Sequence, residues 1–285
     1  MRNKITLIIL IFAAATCIAL EKKQNNTTTN SALSVDPTIV TSMASLRTVN
    51  DKPLLPWSAD DGIVSLAELY EEELKKQENK LWSQAQSVFG LNRKTFNQKV
   101  AADRYKFTNK KAKRSEQLSS EVIAFVEDIL QKCGFDPKTI AILANTTAGT
   151  SPAGTISKAI YIYEPAFKKL DRRAFTYIVA HEAMHIRHQD SIERMTLKKM
   201  LMVNGQLTEQ QETFLNNYSR FQETRADLHA ILIDPLFAQG GIVYYNHLLT
   251  NSNTDTTVHP KSKDRLRLCM AVDEAWCLIP KTVIG

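Results

Sequence analysis

The stretch FTYIVAHEAMHIRHQD, from Phe175 to Asp190, decides how the rest of the chain is interpreted. It is largely apolar and contains neither glycine nor proline, so it is expected to form one uninterrupted helix. On that helix His181 and His185 lie one turn apart and face the same way, so both imidazoles can bind one ion. The alternative is a buried helix that carries partly exposed histidines and no metal.

Glu182 completes the string His-Glu-x-x-His and is rotated by about 100° from His181 around the helix axis. Its carboxylate can therefore reach a water on the ion without binding the ion itself. Imidazole suits Zn²⁺, and zinc lowers the pKa of a bound water that a neighbouring carboxylate can deprotonate. Zinc is thus the expected cofactor, and Glu182 is the expected general base.

A catalytic zinc also needs a third protein ligand and an open fourth position. His188 follows His185 by only three residues and is expected at the surface or behind the ligands. The segment SRFQETRADLHA, 219–230, offers Glu223 as a ligand from a second helix, with Asp227 one turn later on the same face. Asp227 is placed to accept the other N–H of a ligand histidine. The alternative is an exposed helix whose carboxylates pair with its own arginines.

Three motifs follow one another along the chain: HEAMH at 181–185, ETRAD at 223–227 and VHPKSKDRLRL from Val258. In this order they resemble the zinc peptidase family of the CAAX prenyl endopeptidases, which includes the membrane protease HtpX and soluble periplasmic BepA-like proteases. The residues that match the family motifs are His181, Glu182, His185, Glu223, Ala226, Asp227, His259, Pro260 and Arg265. The resemblance spans about half of the chain, residues 120–270, and Asp190 also matches an aspartate often found shortly after HExxH.

The resemblance implies an α+β, mostly helical fold. It predicts a zincin-like metallopeptidase domain with a small β-sheet and an active-site helix, preceded by an N-terminal helical segment. It also implies a zinc-dependent endopeptidase (a gluzincin) that holds one zinc ion per chain through His181, His185 and Glu223. The partner would be a protein or peptide substrate, with association to membrane or envelope proteins as a further expectation.

His259 and Arg265 are the remaining candidate site residues. His259 is expected either to donate a hydrogen bond to the transition-state oxyanion or to occupy the open zinc position as a removable plug. Taken without the resemblance, it is a solvated histidine at a helix entry, with Pro260 in the first turn. Arg265 is expected to pair with a site carboxylate and hold its helix against the cleft.

One departure from the family narrows the prediction. Its membrane members have hydrophobic spans between the HExxH helix and the glutamate helix. Here that interval contains charged residues and cannot span a bilayer: Glu193, Arg194, Lys198 and Lys199. The chain is therefore expected to belong to the soluble, exported branch and to act on exported or envelope proteins.

The N-terminus predicts export. Residues 1–20, MRNKITLIILIFAAATCIAL, have the basic start, apolar run and small residues of a signal peptide, or of an N-terminal anchor. Lipidation at Cys17 is not expected, because the residues before it fit that cleavage signal poorly. Residues 21–61 are polar and predict a disordered linker, 62–115 a helical segment and 116–285 the metallopeptidase domain. The expected location is the periplasm or envelope.

The remaining sequence features concern the net charge, the cysteines and the expected β-sheet. A net charge of +6 is a mild bias, and the basic run 106–114 is read as a solvated linker, so no nucleic-acid partner is expected. Cys133, Cys269 and Cys277 are read as core thiols, and the alternative is one disulfide bridge to Cys133. Two β-like runs, 139–144 and 158–163, flank a Gly/Thr/Ser-rich loop. The second, KAIYIY, is expected either at the sheet edge, where it would pair with an extended substrate, or in the core.

Two other functions compete with the endopeptidase. One is a non-proteolytic chaperone or interaction module that uses the same zinc-binding fold. The other is a metal-dependent hydrolase of a non-protein substrate, such as a cell-wall peptide. The presence of Glu182 favours an active enzyme, because the catalytic base is the residue that an inactive relative could most simply lose.

Overall fold

A computed structural model describes residues 65–107, 112–147, 151–251 and 258–277, together with the backbone of a short ladder between 48 and 53. The predicted signal peptide and most of the predicted linker lie outside the described residues. The helices are α1 Leu66–Phe89, α2 Arg93–Phe107, α3 Ser120–Lys132, α4 Glu164–Lys169, α5 Arg172–His188, α6 Asp190–Leu201, α7 Glu209–Ile231, α8 Pro235–Asn251 and α9 Ser262–Cys277. The strands are β1 Thr48–Val49, β2 Lys52–Pro53, β3 Ala141–Ala144, β4 Ala153–Ile156 and β5 Ala159–Ile162. The protein is therefore mostly helical with a small mixed sheet, as an α+β fold requires.

Capping side chains mark where several helices begin. Ser65 and Glu68 form a capping box at α1, and Thr208 and Gln211 form another at α7. Asp171 accepts a hydrogen bond from the backbone N–H of the second residue of α5, as expected for its N-cap. Among the described residues, no helix is both long and apolar enough to cross a membrane.

The three-stranded sheet has the order β3-β5-β4, and it corrects the sequence prediction in two ways. The strand β4 lies in the segment that was expected to be a loop, and it pairs with β5 in antiparallel register, Ala153 opposite Ile162. KAIYIY forms β5, which is the central strand and not an edge, because β3 pairs in parallel on its other side. The reason is the tight turn at Ser157, which adopts φ 57 without the glycine or asparagine that usually signals such a turn.

The two edges of this sheet differ. The outer edge of β3 is covered by the chain before it: Ile142 donates its N–H to the carbonyl of Lys113, and Ser115 donates to the carbonyl of Ile142. Among the described residues, no backbone hydrogen bond joins the outer edge of β4 to another segment, and β4 packs against α5. The open edge therefore lies beside the helix that carries the histidines.

Helix α5 is central and is packed on several sides, by α3, α7, α8 and the sheet. Close approach of α8 depends on two consecutive glycines. A Cβ atom on Gly240 would lie 2.2 Å from the carbonyl oxygen of Arg173, and one on Gly241 would lie 2.5 Å from Sγ of Cys269. A side chain at Gly240 would collide with α5, and one at Gly241 would collide with α9. The two glycines therefore let α8 and its tyrosines pack closely against both helices.

The N-terminal helices share the hydrophobic core of the histidine-bearing helices. Trp82 of α1 packs against Phe96 of α2 at 4.7 Å between ring centroids, and against Tyr218 of α7 at 6.3 Å. Arg114 donates to the carbonyl oxygens of Ile140 and Pro137, which ties the end of the predicted 62–115 segment to the sheet. The described residues of the 62–115 and 116–285 segments are thus joined by core packing and by hydrogen bonds.

Candidate metal centre

The way α5 ends determines where Asp190 lies. Gln189 ends the helix in the left-handed conformation, φ 63, and α6 starts at the next residue. This sharp break turns the chain back along α5, so that Asp190 lies beside His185 one turn earlier. A non-glycine residue adopts this conformation at some energetic cost, which the buried contacts of Asp190 must offset.

The structure brings His181, His185 and Glu223 together as a three-residue group that can hold a metal ion. The two Nε2 atoms of the histidines are 2.9 Å apart. Carboxylate oxygens of Glu223 lie 3.3 Å from Nε2 of His181 and 3.4 Å from Nε2 of His185. Ligands about 2.0–2.1 Å from a tetrahedral zinc ion are separated by about 3.3–3.4 Å. The two distances to Glu223, each to a different carboxylate oxygen, match this spacing, and the 2.9 Å between the histidine nitrogens is shorter, so a zinc ion would fit once the two imidazoles move slightly apart.

A carboxylate lies beside the Nδ1 atom of each histidine, and this explains why the three ligand residues suit a cation. Nδ1 of His185 is 2.6 Å from Oδ2 of Asp190. Nδ1 of His181 is 2.8 Å from Oδ1 of Asp227, although this contact departs from the line of the N–H bond. A carboxylate only accepts, so each Nδ1 carries the proton and each Nε2 presents a lone pair. Two lone pairs and the carboxylate of Glu223 then face one another, which favours a positive ion between them.

The pKa values of the three clustered side chains also favour a bound cation. Burial raises the pKa of Glu223, but His185 and His181 outweigh burial, and the pKa lies well below its ordinary value. Burial lowers the pKa of His185, but the carboxylates of Glu223 and Asp190 outweigh it and raise the pKa well above the ordinary value. Without a metal ion, the pocket of acceptors therefore attracts protons, and a metal cation would replace them.

Asp227 is held by an inner network, which we define as His181, Asp227 and Arg265. Arg265 of α9 binds the carboxylate with two nitrogens, Nε and Nη2, each 2.6 Å from an oxygen. The hydroxyl of Tyr177 donates to the same carboxylate at 2.5 Å. Burial raises the pKa of Asp227, but Arg265 and His181 lower it well below its ordinary value. The predicted residues Asp227 and Arg265 are thus in direct contact, and Asp227 is 1% exposed.

Asp190 is held by an outer network, which we define as His185, Asp190 and Arg225. Arg225 bonds to Oδ1 of Asp190 and lies 3.0 Å from Oε2 of Glu193. The sequence interpretation missed Arg225, which it assigned to the exposed alternative, and it assigned no role to Glu193 at the site. The available signal was their spacing: Asp190 and Glu193 share one face of α6, and two buried carboxylates need a cation.

Of the other predicted residues, His259 contacts the cluster, and Glu182 follows His181 on α5. Nε2 of His259 is 3.5 Å from Oε2 of Glu223, and its side chain is 43% exposed. Burial lowers the pKa of His259 and the Glu223 carboxylate only partly offsets this. Glu182 is partly buried on α5. Burial raises the pKa of Tyr244 on α8, and the Glu182 carboxylate raises it further, so these two groups are neighbours.

His188 belongs to a different hydrogen-bonded group. Its Nε2 atom lies 2.6 Å from Nδ1 of His229, whose Nε2 atom lies 2.5 Å from Oε1 of Glu71. The group joins α5, α7 and α1 and is separate from the three metal-binding side chains. The structure therefore gives His188 a contact that joins helices, and His188 is not part of the group that can hold a metal ion.

Comparison of this chain with protein-family models, with curated proteins and with solved structures gives no match. The resemblance to the zinc peptidases therefore stays a prediction that the three sequence motifs carry. The geometry described above is an independent observation, because it follows from side-chain positions and not from similarity.

Proposed function

We propose that this protein is a zinc-dependent endopeptidase with a zincin-like domain, related to the soluble exported branch of the CAAX prenyl endopeptidase family. The observation that carries the proposal is the convergence of ligand atoms from His181, His185 and Glu223, which lie 2.9 to 3.4 Å from one another, close to the spacing around a tetrahedral ion. Asp190 and Asp227 add support, because a carboxylate beside the Nδ1 atom of each ligand histidine is characteristic of metal sites.

In this proposal His181, His185 and Glu223 hold the ion. Bound zinc would polarise the scissile carbonyl and lower the pKa of the attacking water. Glu182 accepts the proton of that water and delivers it to the leaving amine. His259 lies beside Glu223, where it can donate a hydrogen bond to the oxyanion or cover the open position.

The open edge of β4 supports an extended peptide as the substrate. Beside α5, this edge presents backbone groups that another extended chain can pair with. The opposite edge, on β3, is already paired with residues 113–115. Substrate would therefore add to β4, and not to the KAIYIY strand as the sequence suggested. With the predicted N-terminal leader or anchor, this favours exported or envelope proteins as substrates.

The test compares casein cleavage and zinc content in the wild type and in Glu182→Gln. The variant keeps the shape and hydrogen bonding of the side chain but cannot accept the proton. We expect about one zinc per chain in both proteins and a loss of activity of roughly 10²- to 10⁴-fold in the variant. Glu209→Gln, an exposed residue at the start of α7, is the matched control and should keep full activity.

Two outcomes would contradict the proposal. Normal proteolysis in Glu182→Gln would remove Glu182 as the base. Zinc bound without any chelator-sensitive cleavage of casein or of other unfolded proteins would instead support the binding module. Glu223→Ala should lower the zinc content, and unchanged content would remove Glu223 from the ligand set.

A further inference from the structure

A cavity of about 250 Å³ lies at the C-terminal end of α5. None of its lining residues belongs to the group that can hold a metal ion. Its floor is apolar and includes the buried side chains of Ile140, Ile186 and Ile192. An engineered apolar cavity of about 150 Å³ is large enough to bind benzene. This cavity can therefore take a small apolar group together with a polar head.

The charged groups around the floor all carry the same sign. Arg104, Lys158 and Arg187 line the cavity, and none of the described residues that line it is acidic. Arg187 donates to an uncharged acceptor, the carbonyl oxygen of Cys133. Lys158 has no ion-pair partner within the described part of the chain. All three cations are exposed, so an anion whose apolar part contacts the floor would meet only positive charge among the lining residues while staying in reach of water.

The backbone at the mouth is held in an unusual conformation. Three non-glycine residues among those described have positive φ, and two of them, Ser157 and Gln189, line this cavity. The N–H of Ser157 donates to Oγ of Ser191 at 2.8 Å, which fixes the turn between β4 and β5 against α6. Such conformations persist where the surroundings over-determine them, and they concentrate at binding sites.

We propose that this cavity binds a small amphiphilic anion, namely a carboxylate or phosphate attached to a short apolar chain or ring. The apolar part would contact the isoleucine floor, and the head group would lie among the three cations. A medium-chain fatty acid and a short lipid phosphate share this chemistry. The site is distinct from the peptidase site and does not depend on the function proposed for it.

The experiment is calorimetric titration of the full chain with octanoate and with octyl phosphate, using octanol and acetate as controls. We expect saturable binding of at least one of the two anions, at one site per chain. Octanol lacks the charge and acetate lacks the tail, so each should bind about tenfold more weakly or worse. The tighter of the two anions identifies the head group that the site prefers.

Lys158→Glu reverses one cation at an exposed turn and should weaken binding by about tenfold or more. Lys169→Glu makes the same change at an exposed position of α4 that does not line the cavity, and its affinity should stay within about twofold of the wild type. Arg104→Glu, on a separate helix, should act as Lys158→Glu does. Hydrogen exchange with the ligand present should show protection at residues 186–192.

The proposal fails if neither anion binds saturably, or if octanol binds as tightly as octanoate. It also fails if Lys158→Glu and Arg104→Glu both bind like the wild type, or if protection appears only elsewhere in the chain.

Discussion

The inner and outer networks place a carboxylate behind each histidine of the metal site, but they are built differently. Both networks join three helices, but in the inner one the arginine and the aspartate are both buried, and Asp227 binds the arginine with both carboxylate oxygens. The outer network depends on a local turn between α5 and α6, and Arg225 also contacts a second carboxylate, Glu193. Both carboxylates fill the same role, fixing the proton on Nδ1 of a histidine. The comparison predicts that the stability of the fold depends strongly on the inner carboxylate and less on the outer one.

The largest expected effect is on the inner network. Asp227→Asn removes the closer of the two carboxylates that pair with Arg265 in the described structure, and leaves the buried guanidinium with Glu223 alone, 3.5 Å from Nη2. We expect the free energy of unfolding, measured with urea, to fall by about 3–5 kcal/mol. Zinc affinity, measured by competition with a chelator, should fall by about 10- to 100-fold.

A double variant tests the cause of that loss. Asp227→Asn combined with Arg265→Met removes both charges, so much of the lost stability should return, because replacing both members of a buried pair is often nearly neutral. Zinc affinity should stay low, because His181 still lacks its carboxylate. A stability loss below about 1 kcal/mol in Asp227→Asn alone would show that Glu223, 3.5 Å from Arg265, is enough to compensate the buried guanidinium.

The outer network should separate metal binding from stability. In Asp190→Asn, Arg225 keeps Glu193 at 3.0 Å, so the free energy of unfolding should fall by only about 1–3 kcal/mol. Zinc affinity should nevertheless fall by about 10- to 100-fold, as for Asp227→Asn, because His185 loses its charged partner.

The matched control for the outer network is Glu193→Gln. Glu193 contacts Arg225 and makes no contact with His185 in the described structure. Loss of the Glu193 charge should therefore lower the free energy of unfolding without a large change in zinc affinity. Equal losses of zinc affinity in Glu193→Gln and Asp190→Asn would mean that the outer network acts through general packing and not through the His185–Asp190 hydrogen bond.

The same comparison shows how much the sequence could predict. The inner network was within reach, because Asp227 lies one turn from Glu223 and Arg265 follows the His-Pro step of the resembling family. The outer network was only partly within reach: Asp190 matches an aspartate of the resembling family, but its place beside His185 depends on a left-handed Gln189 that no glycine or asparagine signals. A strand as short as β4, in a segment with the composition of a loop, gives no periodic pattern, and its pairing with β5 depends on contacts distant in sequence.

The smallest expected effect concerns the pH dependence of stability around Arg225. His188 lies near this arginine, and its pKa is lowered to about 3, first by burial and then by the positive charge of Arg225. His229 and Arg187 act in the same direction, and Asp190 opposes them. The folded protein therefore favours the neutral imidazole, whereas an unfolded histidine has a pKa of about 6.5.

Between about pH 6.5 and 3 the unfolded state therefore binds the extra proton, and the free energy of unfolding falls as the pH falls through this window. From pH 7 to pH 5 the contribution of His188 is at most about 2 kcal/mol. His188→Gln retains a hydrogen-bonding side chain but does not titrate, so its urea-unfolding free energy should decline less over the same interval. Parallel declines in the two proteins would show that His188 is protonated equally in both states, and that Arg225 does not act on it.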